Sequence, residues 1–425
     1  MKKIIAVSLA LSIFLNLIGQ DVDYPKEVVK TLASPEFKGR GYVEDGNRIA
    51  ANYIKDQYSQ IGLNPFKKGY FQPFKIDVNT FPKSMKLAFD NSKLVAGKDF
   101  IVDPSSPSLN GEFSVYIINK QDLLDDNKVR NAIQSSTGKI LIINERDFKT
   151  VKKEEKQKVE DIINFLKYSP NVPSSGTIIV TSEKLTWSTS TTQSSKPSFT
   201  VNNGYDIATL KKGKIEIDAS LIKYKTQNII GYVEGKEKPD SFLVVLAHYD
   251  HLGKMGSETY FPGANDNSSG VAMLLTLAKH FKANPPKYSI VFIALSAEEI
   301  GIVGAKYFVD NPLFDLKKIK FLVNFDLAGT GDDGIKVVNG SVFKTYFDIL
   351  TRLNEKNSYL KSVQIRGAAC NSDHCLFYDK GVPSYYIYTL GGIQAYHDIY
   401  DKSETLPLTG FTNYSKLMID FFNNF

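Results

Sequence analysis

Five side chains of this sequence belong to the types that bind divalent metal ions: His248, Asp266, Glu299, Asp326 and His397. Zinc takes imidazole nitrogens and carboxylate oxygens at about 2.0–2.2 Å. Paired metal ions in hydrolytic sites lie about 3.5–4 Å apart, so that one carboxylate can contact both. Asp266 is the candidate for this shared position. We therefore expect a hydrolase with two zinc ions per chain.

Two further acidic residues fit supporting roles in such a site. Hydrolysis needs a carboxylate that does not bind metal and can accept a proton from the attacking water, and Glu298 stands next to Glu299. Asp250 follows His248 by two residues, so it can fix the tautomer of that ring from behind. We expect Glu298 to be the general base and Asp250 to support a ligand.

The elements that must position these residues explain why they form one site. Each residue alone has an ordinary explanation, such as a surface histidine, a helix start or a turn. Four short apolar runs precede them, as is typical of buried strands: Phe242–Ala247, Ser289–Leu295, Ile319–Phe325 and Pro383–Tyr388. Helical patterns such as Gly270–Phe281 lie between the runs. We expect an α/β fold with a mixed, mostly parallel sheet between helices, and a site at the carboxyl ends of its strands.

The middle of the chain has a different texture. Short β-type runs, one charged helix around Val151–Leu166 and a Ser/Thr-rich loop at Ser188–Ser195 lie between about Pro82 and Lys223. None of its residues forms a cluster that resembles a site. We interpret residues 82–223 as an inserted β-rich domain that interrupts a catalytic domain of residues 20–81 and 224–425.

Charge and the first residues indicate the partners and the compartment. The net charge of +6 is small and the lysines are interleaved with acids, which argues against a nucleic-acid partner. Met-Lys-Lys followed by a mostly apolar stretch predicts a signal peptide over residues 1–19 and export to the periplasm or medium. A retained N-terminal anchor is the alternative. We expect no stable membrane insertion once the signal is removed.

Five motifs of the sequence resemble those of the co-catalytic zinc aminopeptidase family, which includes bacterial leucyl aminopeptidases and relatives of glutamate carboxypeptidase. The motifs are Ala-His-Tyr-Asp-His-Leu-Gly, Gly-Ala-Asn-Asp-Asn-Ser-Ser-Gly-Val-Ala, Ser-Ala-Glu-Glu-Ile-Gly, Asn-Phe-Asp and Tyr-His-x-x-x-Asp. They cover His248 to Asp401. Residues Leu32–Leu63 also look similar, notably Phe37-Lys38-Gly39-Arg40-Gly41.

The resemblance implies a role for each site residue. One zinc is held by His248 and Asp326, and the other by Glu299 and His397, with Asp266 between them. The resemblance also implies that Glu298 is the general base and proton donor, that Tyr396 stabilises the tetrahedral oxyanion, and that Asp401 supports the site from outside the ligand sphere. It further implies a cis peptide bond after Asp266 and a protease-associated-like domain as the insert. We expect His251, His280 and His374 not to be ligands.

The sequence departs from the family pattern in two places. Asp398 follows His397 where a hydroxyl residue is usual, and Cys370 and Cys375 flank Ser372-Asp373-His374. The two cysteines are either a disulfide or two free thiols. Both departures lie beside the ligands, so we expect them to affect the substrate pocket.

Four functions remain open at this point. Removal of an N-terminal residue from peptides is the leading one. Carboxypeptidase action on acidic dipeptides would need cationic side chains for the substrate carboxylate, and Arg366 is the only arginine in the loop before the site. Glutaminyl cyclisation would use a single zinc ion. A receptor-like binding protein would have lost the site, whereas this sequence keeps every ligand and the base.

Overall fold

The computed structural model describes residues 23–90, 92–145, 152–202, 204 and 210–425. The predicted signal peptide over residues 1–19 lies outside this part of the chain. Among the described residues, no helix has the length and apolar character needed to cross a membrane.

Strands and helices alternate along most of the described chain. The strands are β1 (Phe71–Thr80), β2 (Lys86–Phe89), β3 (Ser92–Leu94), β4 (Phe100–Val102), β5 (Leu109–Asn119), β6 (Ile140–Asn144), β7 (Gly176–Thr181), β8 (Ser198–Asn202), β9 (Lys212–Ile217), β10 (Ser220–Val233), β11 (Lys238–His248), β12 (Gly253–Met255), β13 (Thr259–Phe261), β14 (Tyr288–Leu295), β15 (Ile319–Phe325), β16 (Gly334–Val338), β17 (Val363–Ile365) and β18 (Ser384–Leu390). The α-helices are α1 (residues 23–32), α2 (Gly46–Ile61), α3 (Asp126–Ser135), α4 (Lys153–Tyr168), α5 (Gly270–Ala283), α6 (Val303–Asp310), α7 (Lys344–Asn357), α8 (His374–Asp379) and α9 (Phe411–Asn423).

The first sheet has a parallel centre and antiparallel pairs towards its edges. Its order is β1-β10-β14-β11-β15-β18-β16-β17. Strands β14, β11, β15 and β18 are parallel, whereas β10 and β16 run against their central neighbours. The four central strands contain the four apolar runs of the sequence. The prediction of a mixed, mostly parallel sheet is therefore confirmed.

Helices cover both faces of this sheet. Along β11, Leu243, Val245 and Ala247 join the core that contains α2, α5 and α9. The alternate residues of β11, Val244 and Leu246 among them, join the core on the other face with α6 and α8. Because both faces are buried, the strands are continuously apolar rather than alternating, and this made them recognisable in the sequence.

A second sheet lies within residues 82–223, which we call the insert. Its order is β3-β2-β9-β5-β6-β7-β8-β4, with β5 to β8 parallel. The sequence predicted one helix here, but the described part of the insert contains two α-helices, α3 and α4, which pack on the same face of the sheet. The prediction of a single helix was wrong because α3 is short and largely polar, with Ala132 as its buried residue.

The core on the other face of the second sheet contains residues from outside the insert. Leu252, Met255 and Phe261, from the β12–β13 hairpin and the turn before it, are buried there with Trp187. The domain boundaries at residues 82 and 223 stay a prediction, and this packing joins the two sheets across them.

Candidate metal centre

The strand ends of the first sheet bring the five predicted ligands to one edge. His248 is the last residue of β11, and Asp326 directly follows β15. Glu299 follows β14, and His397 lies in the loop after β18. Asp266 comes from the segment that leads into α5. The convergence follows from the topology, because parallel strands end at a common edge.

His248, Asp266 and Asp326 form the first ligand group. His248 Nε2 lies 3.5 Å from Asp266 Oδ1 and 3.5 Å from Asp326 Oδ1. Asp326 Oδ1 is buried and has no hydrogen-bond partner among the described residues. Two ligands that share a tetrahedral zinc ion are about 3.3 Å apart, given metal–ligand distances near 2.0–2.1 Å. The spacing and the unpaired oxygen both fit a cation between these three atoms.

Asp266, Glu299 and His397 form the second group on the other side of Asp266. His397 Nε2 lies 3.1 Å from Asp266 Oδ2 and 3.2 Å from Glu299 Oε2. Asp266 therefore presents Oδ1 to His248 and Oδ2 to His397. This is the arrangement of a carboxylate that contacts two ions at once.

The pKa values of the histidines reflect a strongly acidic surrounding. Burial alone would lower the pKa of His397, but the carboxylates of Glu299 and Asp266 outweigh it and raise this pKa to about 11. Burial also opposes the charged form of His248, yet Asp326 and Glu298 hold its pKa well above the usual value. Without a metal, these rings retain protons, and a bound cation would displace them.

His251 also lies in this centre, although the sequence analysis set it aside. Its Nδ1 is 2.6 Å from Glu299 Oε1, and His251, Asp266 and Glu299 make a further group that could hold a metal ion. Burial lowers the pKa of His251, so the ring is neutral and Nδ1 can donate to the Glu299 carboxylate. The prediction that it is not a ligand remains a prediction.

Asp250 contacts both His248 and the segment that carries Glu298 and Glu299. The main-chain oxygen of Asp250 accepts from His248 Nδ1 at 3.2 Å, whereas its carboxylate oxygen Oδ1 is 3.9 Å from that nitrogen. The carboxylate instead accepts the backbone N–H groups of Glu298 at 3.1 Å and Glu299 at 3.4 Å. Asp250 thus fixes His248 through its backbone and the Glu298–Glu299 segment through its side chain.

Glu298 is half-buried beside the ligands and belongs to neither ligand group. Burial raises its pKa well above the usual value, and the neighbouring charge of Asp373 adds to this. Asp373 is itself buried, and neither of its carboxylate oxygens has a hydrogen-bond partner in the described chain. Burial raises the pKa of Asp373 to about 8. The sequence analysis gave Asp373 no role.

Tyr396 and Asp401 lie around the second group. The Tyr396 ring stacks on His397 with ring centroids 4.0 Å apart, and 45% of the residue is exposed. The Asp401 carboxylate accepts from the backbone N–H groups of Asn265 at 2.8 Å and Asp266 at 3.0 Å. The Asp266–Asn267 peptide bond is cis, as the family resemblance implied.

Arg40 is the residue whose contribution the sequence analysis missed. Its fully buried guanidinium donates to the main-chain oxygens of Tyr249, Leu32, Pro262, Gly263 and Asp266 at 2.7–3.0 Å. Burial lowers the pKa of Arg40 to about 10, so it is still charged at neutral pH. Its only sequence signal was the family-like stretch around Gly39 and Gly41.

The loop around the two cysteines is closed by a disulfide between Cys370 and Cys375. This decides between the two alternatives that the sequence left open. Ser372, inside the closed loop, donates to Asp326 Oδ2 at 3.3 Å. The disulfide therefore encloses a residue that contacts a predicted ligand.

Known proteins resemble the chain in both sequence and fold. The model of peptidase family M28 matches residues 228–422. Aminopeptidase YwaD of Bacillus subtilis is 39% identical over 107 residues, which cover 25% of this chain and 22% of that protein. A probable zinc metalloprotease of Pyricularia oryzae is 34% identical over 130 residues, which cover 29% and 26%. The matched segment thus spans about a quarter of the length of these relatives.

Two solved structures have the same fold over nearly the whole chain. A zinc aminopeptidase from Bacillus subtilis superimposes with a TM-score of 0.68 at 19% identity, covering 94% of this chain and 93% of that one. A peptidase M28 precursor from Shewanella amazonensis superimposes with a TM-score of 0.72 at 15% identity, covering 98% and 96%. At these identities the likeness concerns the fold.

Proposed function

Residues 228–422 belong to peptidase family M28, and from this premise we propose that the chain is an exported two-zinc aminopeptidase. The observation that carries the proposal is the position of Asp266, whose two oxygens face His248 and His397 on opposite sides. One zinc would be held by His248 and Asp326 and the other by Glu299 and His397. When bound, the two zinc ions supply Lewis acidity for the scissile carbonyl and make water easier to deprotonate.

Glu298 takes the proton of the attacking water and passes it to the leaving amine. Burial raises the pKa of Glu298, and a carboxyl group that must hold the proton before releasing it needs a pKa above the usual carboxylate range. The backbone of Glu298 is held by the Asp250 carboxylate, so its side chain begins from a defined position. Tyr396, at the exposed side of the centre, donates its hydroxyl proton in a hydrogen bond to the oxyanion as negative charge develops.

The charges of the centre favour a substrate amine over a substrate carboxylate. The carboxyl groups of Glu298 and Asp373 lie close to the ligand Asp326, and the charges of Asp373 and Asp326 raise the pKa of Glu298, which marks the surroundings as acidic. Arg40 is the buried cation beside them, but all of its nitrogens are directed at main-chain oxygens. The free α-amine of a peptide therefore fits better than the carboxylate that an acidic-dipeptide carboxypeptidase must bind. A cyclase with one zinc would leave one side of Asp266 without a partner.

The proposal is tested with Glu298→Gln and a matched exposed acid, Glu258→Gln. We expect wild type to contain two zinc ions per chain and to hydrolyse aminoacyl p-nitroanilides. Glu298→Gln should keep both ions and lose about 10²–10⁴ in kcat, whereas Glu258→Gln should match wild type. One zinc per chain with activity on N-terminal glutamine alone would contradict the proposal, as would a fully active Glu298→Gln.

Export is tested separately from activity. The charged and apolar start of the chain supports removal of residues 1–19. Intact mass measurement of protein from a secreting host should give a chain that begins near residue 20. An uncleaved chain recovered with the membranes would favour the N-terminal anchor instead.

A further inference from the structure

A short loop of the insert reaches the metal centre. We call residues 184–189 the site-facing loop. Trp187 and His397 exchange two hydrogen bonds: the Trp187 N–H donates to the His397 main-chain oxygen at 2.8 Å, and His397 Nδ1 donates to the Trp187 main-chain oxygen at 3.0 Å. A carbonyl can only accept, so this contact places the ring proton on Nδ1. Once a cation displaces the proton on Nε2, the lone pair of that nitrogen faces Asp266 and Glu299, as metal binding requires.

Lys184 holds the chain on both sides of His397. Its ammonium group pairs with Asp398 Oδ2 at 2.6 Å and donates to the main-chain oxygens of Gln394 at 2.8 Å and Tyr396 at 3.1 Å. The Asp398 side chain is only 4% exposed, and its Oδ1 also accepts the backbone N–H of Tyr400 at 2.8 Å. His397 has a φ of 52°, a left-handed conformation that few residues other than glycine adopt.

Thr189 extends the contact to the other ligand of the same group. Its Oγ1 donates to the main-chain oxygen of Glu299 at 2.7 Å. His248 and Asp326, which form the first group with Asp266, are supported from elsewhere, since His248 bonds to the Asp250 backbone and Asp326 to Ser372. The site-facing loop therefore contacts the two unshared ligands of one metal position and leaves the other position to residues outside the insert.

The core of the insert fixes the position of the loop. The Trp187 indole is buried, stacks on Phe261 with centroids 4.8 Å apart, and donates from Nε1 to the Val102 main-chain oxygen at 2.8 Å. These contacts hold the Trp187 carbonyl in place against His397.

We propose that the site-facing loop, with Lys184 as its key positioning residue, selectively stabilises the metal position formed by Glu299 and His397. The inference rests on the proposed two-zinc function. It assigns the insert a share in metal binding, which its sequence did not suggest, and it gives Asp398 a reason to differ from the usual hydroxyl residue: the aspartate receives the charge of Lys184.

The test is metal titration of the full chain. Co²⁺ and Zn²⁺ are added to the metal-free forms of wild type, Lys184→Met, Thr189→Val and Lys184→Arg. The absorption of each Co²⁺ site and the amount of zinc retained against a weak chelator are measured. We expect Lys184→Met to keep one ion at wild-type affinity and to bind the other about 10–100-fold more weakly. Thr189→Val should weaken the same ion, and Lys184→Arg should restore most of its affinity.

Lys167→Met is the matched control, because it removes a lysine that pairs at 2.9 Å with Asp103, a carboxylate of the insert whose side chain is 12% exposed. It should leave both affinities unchanged. Equal weakening of both ions in Lys184→Met, or unchanged binding of both, would overturn the proposal. Asp398→Asn, which keeps the side-chain volume, replaces Lys184→Met if that variant does not fold. If wild type does not bind two metal ions, the proposed function itself is refuted, so the two failures are distinguishable.

Discussion

Replacing Arg40 by methionine should destabilise the protein strongly, although it alters none of the predicted ligand side chains. The substitution removes the donor from five main-chain oxygens. The Gly263 oxygen keeps a donor, because Ser268 Oγ also bonds to it at 2.8 Å. The other four oxygens lose their arginine donor in a buried setting. At about 1 kcal/mol for each unsatisfied group, the loss is about 4 kcal/mol, a large part of a typical stability of about 5–15 kcal/mol.

Equilibrium unfolding in urea measures this loss, with Arg48→Met as the control. Arg48 is 60% exposed and pairs with Asp45, so its removal should change the free energy of unfolding by at most about 1 kcal/mol. Arg40→Lys keeps the charge but has three donors for five oxygens, and should fall between wild type and Arg40→Met. If Arg40→Met unfolds within about 1 kcal/mol of Arg48→Met, the reasoning on buried carbonyl groups fails here.

Three further expectations concern the metal, the disulfide and one close approach. Zinc affinity should rise with pH, because His397 holds a proton at a pKa of about 11 without metal and zinc must displace it. Calorimetry in buffers of different ionisation enthalpy counts the protons released on zinc binding, and a release of zero protons would contradict this expectation. Replacing Cys370 and Cys375 together by serine should lower the free energy of unfolding by about 2 kcal/mol through the short loop they close; an unchanged denaturation midpoint would count against it. Gly304→Ala should cost at least about 2 kcal/mol, because its Cβ would lie 1.9 Å from the Ser296 oxygen, whereas Gly367→Ala meets nothing closer than 3.7 Å; similar melting temperatures for the two variants would refute the close approach.

The sequence predicted the centre of the first sheet and the convergence of its polar ends. Both faces of these strands are buried, so they appear as uninterrupted apolar runs. The predicted ligands directly follow these runs, so their positions at the strand ends could be inferred from the sequence. His248 and Asp326 could be placed at one edge from this pattern alone.

Main-chain contacts explain most of what the sequence could not predict. The carbonyl of Trp187 that faces His397 has the same chemistry as every other carbonyl, so no residue type reveals it. Arg40 likewise bonds to backbone oxygens and has no paired acid that a motif could have indicated. Asp250 was expected to fix the tautomer of His248, and the group of Asp250 that contacts His248 Nδ1 is its main-chain carbonyl. Such contacts depend on the path of the backbone, which only the folded chain defines.

The β12–β13 hairpin has a consequence for how the insert can be exchanged between related proteins. Leu252, Met255 and Phe261 lie in the core under the second sheet, yet in the chain they stand between His248 and Asp266. If residues 82–223 alone were moved to another protein, Trp187 would lose its stacking partner Phe261. In the chain left behind, Leu252, Met255 and Phe261 would be exposed beside the ligands. The residues that form the core of the second sheet are therefore discontinuous in sequence. An insert from another protein should therefore fold in this chain only if residues 252–261 are replaced together with it by the corresponding hairpin of that protein.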